Sequence, residues 1–273
     1  MPIDPTTIIG EILGEPAAQM RNPVNADYQC PFINSQCLKR SQRLEGPYPV
    51  CSIWRGQRTR KLVCLCPKRF FQVNFLDDVI ENCWSEDPPA NPHIAHEVQM
   101  ADFGKVDFVI ADLNAEQGII REFISVELQA VDITGSVEPA FQSVINSKNL
   151  EKRPSHGFNW ANVRKRYISQ LISKGFYHHH WGTRMVALLQ TAVYDEFRKY
   201  IEFDELLPTQ GNIVFMLYDY VDGEKDENGR HQLKLDRVVA TSHNSLMMGA
   251  LYRTPPPKDE FCKKILDNLQ YDD

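Results

Sequence analysis

Lys105-Val106-Asp107-Phe108-Val109-Ile110 and Ser125-Val126-Glu127-Leu128-Gln129 are two short apolar runs, and each carries one carboxylate. Side chains alternate along a strand, so Glu127 and Gln129 share one face, about 7 Å apart along the backbone, and Leu128 takes the other. If the two runs pair as a hairpin, Asp107, Glu127 and Gln129 converge. Two carboxylates and the backbone carbonyl of Leu128 make a hard oxygen set suited to Mg²⁺. Such an ion can activate water and steady the leaving oxygen of a phosphodiester. A lone acid in a strand more often faces solvent on the polar side of a half-buried sheet. The pattern therefore gains its weight from what surrounds it.

Residues 69–84 read as a helix with Phe71, Phe75 and Val79 on one face. Glu86-Asp87-Pro88-Pro89 ends it. Residues 94–100 and 106–113 read as neighbouring strands, with a turn near 114–118 before the Glu-x-Gln strand. Residues 159–174 form a helix with Trp160, Val163, Tyr167 and Leu171 on one side and Arg164, Lys165 and Arg166 on another. Residues 185–191 and 213–220 are apolar enough for buried strands. A polar turn follows at 223–229, and a last helix spans 258–269. The proline-spaced residues 1–29 hold one short helix near 7–13.

This order of elements resembles the PD-(D/E)xK nuclease superfamily over residues 68–219. The resemblance implies a three-layer α/β/α core with a mixed central sheet. It also implies Asp107 and Glu127 as ligands of a catalytic Mg²⁺. Gln129 stands where the superfamily usually has lysine, an arrangement found in a minority of its restriction enzymes. Asp112 lies five residues past Asp107 and so falls on the opposite strand face. Glu97 reads as a surface residue. Glu81, on the first helix, reads as standing away from the site, with an approach to it as the alternative.

The chain has 273 residues and a net charge of −6, with an ordinary hydrophobic fraction of 42%. No apolar run approaches the roughly 20 residues of a membrane span. The first residues lack the pattern of a signal peptide, so a cytoplasmic location is the expectation. Charge is unevenly spread. Residues 38–70 carry Lys39, Arg40, Arg43, Arg55, Arg58, Arg60, Lys61, Lys68 and Arg69 against Glu45 alone, a local charge of +8 in a net-acidic chain. Local charge governs contact with phosphates. Arg55, Arg58, Arg60 and Lys61 are the candidate DNA contacts, with a solvated basic face as the plainer alternative.

Five of the seven cysteines fall in the same region, spaced C-x6-C-x13-C-x12-C-x-C from Cys30 through Cys37, Cys51 and Cys64 to Cys66. Disulfides are disfavoured in a cytoplasmic protein, so thiolate metal binding leads. Cys30, Cys37, Cys51 and Cys66 are the chosen ligands, with Cys64 in reserve. Cys83 and Cys262 read as core residues. Zinc and iron both suit four thiolates. Three consecutive histidines, 178–180, cannot share one helix face and are not read as metal ligands.

A Cys-Pro-Phe…Cys…Cys…Cys-Pro-x-Arg-Phe lobe ahead of a Gly-x-Val-Asp-Phe-Val…Glu-x-Gln core resembles the NotI group of type II restriction endonucleases. There the four cysteines hold iron, so the resemblance favours iron over zinc. The expectation is a basic metal-binding lobe, 1–67, and a nuclease core, 68–273. Together they would cut double-stranded DNA at a specific sequence with Mg²⁺, as a homodimer. The alternatives are a structure-specific repair or replication nuclease of the same fold, and a DNA-binding protein with a decayed site.

Overall fold

A computed structural model describes residues 2–20, 27–40, 46–56, 59–84, 87–252 and 255–269. The N-terminal part builds a small antiparallel sheet from β1 (Ile9–Ile12), β2 (Glu15–Pro16), β3 (Val50–Arg55) and β4 (Lys61–Cys64), ordered β2-β1-β3-β4. The helix expected at 7–13 is this first strand. Its β-branched isoleucines suit a pleated surface. Gly10 lies where a Cβ would come within 2.8 Å of the Ser52 hydroxyl and closer still to Leu62, so the neighbouring strands close over it.

The expected single helix over 69–84 is split. A 3-10 turn, Pro67–Gln72, is followed by α1 (Phe75–Cys83), with Val73 extended between them. The central sheet then begins with β5 (His93–Gln99), β6 (Lys105–Asn114) and β7 (Ile119–Gln129), each antiparallel to the one before. Next come α2 (Glu138–Ile145) and a long helix that starts as α3 (Trp160–Asn162) and ends as α4 (Ile168–Trp181), followed by β8 (Arg184–Gln190), a short helix over Thr191–Arg198, β9 (Ile213–Lys225) and β10 (His231–Thr241). The six strands run in the order β10-β9-β8-β7-β6-β5. β8 is parallel to both β7 and β9, while β10 is antiparallel to β9, so the sheet is mixed.

Alternation sends the two faces of this sheet into two cores. Phe108, Ile110, Val126, Leu128, Val186, Leu188 and Met216 pack with Phe75, Val79 and Cys83 of α1. Met185, Ala187, Leu189, Phe215 and Leu217 pack on the other side with Tyr167, Ile168 and Leu171 of the long helix and with Ile9, Ile12 and Ile53 of the N-terminal sheet. Helices therefore cover both faces, giving the three layers expected of a restriction-endonuclease-like α/β core.

The N-terminal sheet and the central sheet also meet through a buried charge network. The Glu11 carboxylate, on β1, takes bonds from Arg69 Nε (3.1 Å) and Nη2 (3.0 Å), Ser52 Oγ (2.8 Å) and Tyr220 OH (3.0 Å). Arg69 is fully buried, with Phe32 and Tyr220 rings on its guanidinium. Among the described residues, no helix is long and apolar enough to cross a membrane. The closing helix, α6 (Lys258–Asn268, after α4 spanning Ile168–Trp181 and α5 spanning His243–Leu251), buries none of its residues. Cys262 on it is exposed, against the expectation of a core position, whereas Cys83 is buried as expected.

Candidate active site

β6 and β7 pair in the register Phe108↔Val126 and Ile110↔Ile124. Their large apolar residues fill the α1 side, and parity leaves Asp107, Glu127 and Gln129 facing the long helix. Leu128 N–H donates to Asp107 Oδ2 at 2.8 Å, which brings Asp107 beside the Glu-x-Gln strand. Burial pushes the Glu127 carboxyl up to about 7; Lys174 opposes this by hydrogen bond and charge, and the nearby Asp107 adds to it.

The long helix starts as Trp160–Asn162, passes through a π turn over Val163–Tyr167 and continues as α4 to Trp181. Single π turns cluster at functional sites. Asn159 caps the start with its side chain on the Asn162 amide, and Gly182 at φ +65° ends it. The inward positions are Tyr167, Leu171, Lys174, Gly175 and His178. Gly175 lets the helix approach β9 closely, since a Cβ there would meet the Ile213 side chain at 2.6 Å. At that depth Lys174 Nζ bonds both the Glu127 carboxylate and the Lys105 carbonyl, the latter at 2.7 Å. Tyr167 lies beside both carboxylates, and its buried hydroxyl has no hydrogen-bond partner among the described residues.

Gln129 opens onto a polar cleft of about 200 Å³ that Asp132, Arg166, Tyr167 and Gln170 also line. Its amide nitrogen donates to the adjacent Ala130 carbonyl. Lys174, Tyr167, Arg166 and Asp132 border the same region and are not among the candidates the sequence offers. A lysine inside an apolar helical face, at the spacing 167, 171, 174 and 178, is the signal that marks one of them.

The other carboxylates stand apart. Asp112 pairs with Arg121 at 2.7 Å towards the hairpin end. Glu97 is exposed and pairs with Lys105 at 2.9 Å. Glu81 is exposed on α1. Of the histidines, His178 is buried, and desolvation with the Lys174 charge lowers it to about 4, so it is neutral.

The basic segment divides. Lys39 bonds the carbonyls of Val50 and Leu65, Arg40 those of Cys37 and Lys39, and Arg69 is committed to Glu11, so these three serve the fold. Arg55 pairs with Glu196 at 3.2 Å and lies over the Trp160 ring. Arg60 and Lys61 are exposed. Arg58 lies outside the described residues.

Cys30, Cys37 and Cys51 are buried and Cys66 partly so. Burial raises the Cys37 thiol, and the sulfurs of Cys66 and Cys30 add to it; burial likewise raises Cys51 well above its usual range, with Cys66 adding. Cys64 packs in the α1-side core and donates to the Cys66 carbonyl. Among the described residues, no three His, Cys, Asp or Glu side chains come close enough together to hold a metal ion.

Two strand carboxylates on the sheet face that the long helix covers, beside a polar cleft onto which Gln129 opens, thus sit in an α/β core of the restriction-endonuclease-like kind. The family of restriction endonuclease NotI matches residues 11–233, and the chain belongs to that family. No curated protein matches it. Membership makes the chain a restriction endonuclease, an enzyme that cleaves double-stranded DNA.

Proposed function

We propose that the chain is a Mg²⁺-dependent type II enzyme that cuts a specific DNA sequence as a twofold dimer, with a PD-(D/E)xK-type site at Asp107, Glu127 and Gln129. The observation that carries this reading is the meeting of Asp107 and Glu127 on one sheet face beside an open polar cleft. Each carboxylate has one oxygen engaged by the protein, so the other can serve a cation, and the Leu128 carbonyl is the third donor. Hard oxygens of this kind fit Mg²⁺. Bound there, the ion would supply Lewis-acid stabilisation and a more acidic water.

Gln129 orients the attacking water or holds the scissile phosphate at the mouth of the cleft. The water oxygen bonds to phosphorus as the P–O bond to the leaving sugar breaks. The lobe, 1–67, supplies the grip: Arg60 and Lys61 contact phosphates, joined by Arg58, with Arg55 held against Trp160 as a further contact. Arginines that reach the major groove pair well with guanine. A twofold dimer fits palindromic sites. Incubation with a long genomic DNA of known sequence and Mg²⁺ is the test. Discrete fragments ending at one sequence are the expected product; a smear, or intact DNA at every divalent ion tried, sinks the proposal.

In the lobe, Cys30, Cys37, Cys51 and Cys66 form the metal site, iron before zinc. What supports the choice is the gathering of these cysteines in the N-terminal part, three of them buried and none in a disulfide; soft thiolates suit either metal, and the side chains would have to close in around it. Elemental analysis after gel filtration is expected to give about one transition metal per chain, and Cys30→Ser or Cys66→Ser to lose metal and soluble yield together, because binding and folding of such a site are coupled. Less than about a tenth of an equivalent in the wild-type chain removes the idea.

A further inference from the structure

Lys174 stands against the Glu127 carboxylate, on the sheet face that the reading above gives to the reaction. Its side chain is buried at 3% exposure, although a lysine is almost never buried without a partner. It reaches from α4 to both carboxylate strands: one bond goes to Glu127 on β7, the other to the carbonyl of Lys105, two residues before Asp107 on β6. These bonds use two of its three protons. Gln129, the polar residue on the same sheet face, brings no charge and spends its amide on Ala130. Two turns earlier on the same helix face, the Tyr167 hydroxyl is buried beside the same carboxylates without a partner.

Buried ion pairs add little stability over apolar packing of the same volume. A cation here has a plainer use in catalysis. Phosphoryl transfer spreads negative charge over the equatorial oxygens, next to two carboxylates that repel it. A fixed donor aimed at that charge acts where water is excluded and without reorganisation.

Resting on the reading above, we propose that Lys174 is the catalytic amine of this site, delivered from the helix in place of position 129. Its third N–H goes to a non-bridging oxygen of the scissile phosphate, while the bonds to Glu127 and Lys105 hold it in place. No proton is transferred by Lys174 in this role.

Lys174→Met keeps the length and apolar stem of the side chain and removes the charge. Single-turnover cleavage, DNA affinity in Ca²⁺ and urea unfolding are measured together on the full chain. The variant is expected to bind DNA within about threefold of wild type and to cut about a hundredfold to a thousandfold more slowly. Adding Gln129→Lys returns an amine to the same sheet face and is expected to recover at least about tenfold of the lost rate, which repair of a packing defect in the helix would not do. If Lys174→Met fails to fold, Lys174→Gln takes its place with the same second substitution. A variant that cuts within about threefold of wild type, or a slow one that Gln129→Lys does not revive, overturns the proposal. Wild-type protein that leaves all DNA intact overturns the functional reading itself, and this inference falls with it.

Discussion

Asp107→Asn and Glu127→Gln are each expected to abolish DNA cleavage while leaving a folded chain that binds DNA. Loss of a ligand that holds the catalytic ion removes several kcal/mol of transition-state stabilisation, and about 4 kcal/mol corresponds to roughly a thousandfold in rate. The amides are better tests than alanine because of what each carboxylate does for the fold. Asp107 satisfies the Leu128 amide, and Glu127 satisfies Lys174. Glu127→Ala would strand a buried ammonium, a loss of about 3–5 kcal/mol that would confuse catalysis with stability. An amide oxygen still accepts from both donors but is a poor ligand for Mg²⁺. Gln129→Ala is expected to be milder than either. Asp112→Ala is expected to cut normally, since its partner is Arg121 towards the hairpin end. The measurements are cleavage under single-turnover conditions and DNA affinity in Ca²⁺. Normal cleavage by Asp107→Asn together with a dead Asp112→Ala would move the site along the strand.

How much of this site the sequence discloses depends on the range of each interaction. The hairpin is legible because both carboxylates lie in runs whose period of two fixes which face they take, and only a short turn separates the runs. The sheet order from β7 to β9 is less so, because parallel neighbours are brought together by helical crossovers that leave no local mark. Lys174 enters Glu127 from 47 residues downstream. In a helix that also carries Arg164, Lys165 and Arg166, a lysine reads as one more solvated charge until its apolar flanks are aligned at helical spacing. The same blindness affected Arg69. Counted by composition it belongs to a phosphate-binding segment, whereas the folded chain buries it against Glu11. Local charge is therefore an upper limit on what a basic segment can offer DNA. Thr7 to Leu13 failed for another reason: a short apolar run is ambiguous between helix and strand, and pairing with β3 decided it.

Arg69→Ala and Glu11→Ala are each expected to destabilise the chain by about 3–5 kcal/mol, because each leaves the opposite charge buried and alone. Both side chains have no exposed surface, and the pair is bidentate. The surrounding donors make the two losses unequal in kind. Without Glu11, the guanidinium keeps only neutral acceptors, Gln72 Oε1 at 2.8 Å and the His231 carbonyl. Without Arg69, the carboxylate keeps Ser52 and Tyr220 as donors at 2.8 and 3.0 Å, so Arg69→Ala should be the less damaging of the two. The double substitution Glu11→Leu/Arg69→Met removes both charges and refills the space. It is expected to lose less than either single alanine, since a well-packed apolar replacement of a buried pair is often neutral. That pattern would mean the pair serves to fix how β1 docks on β9 and β10, and with it where the basic lobe stands beside the cleft. Urea unfolding of the four variants and wild type supplies the test. A double variant as unstable as the sum of the two singles would show the charges acting independently, and the network would lose its role as the joint between lobe and core.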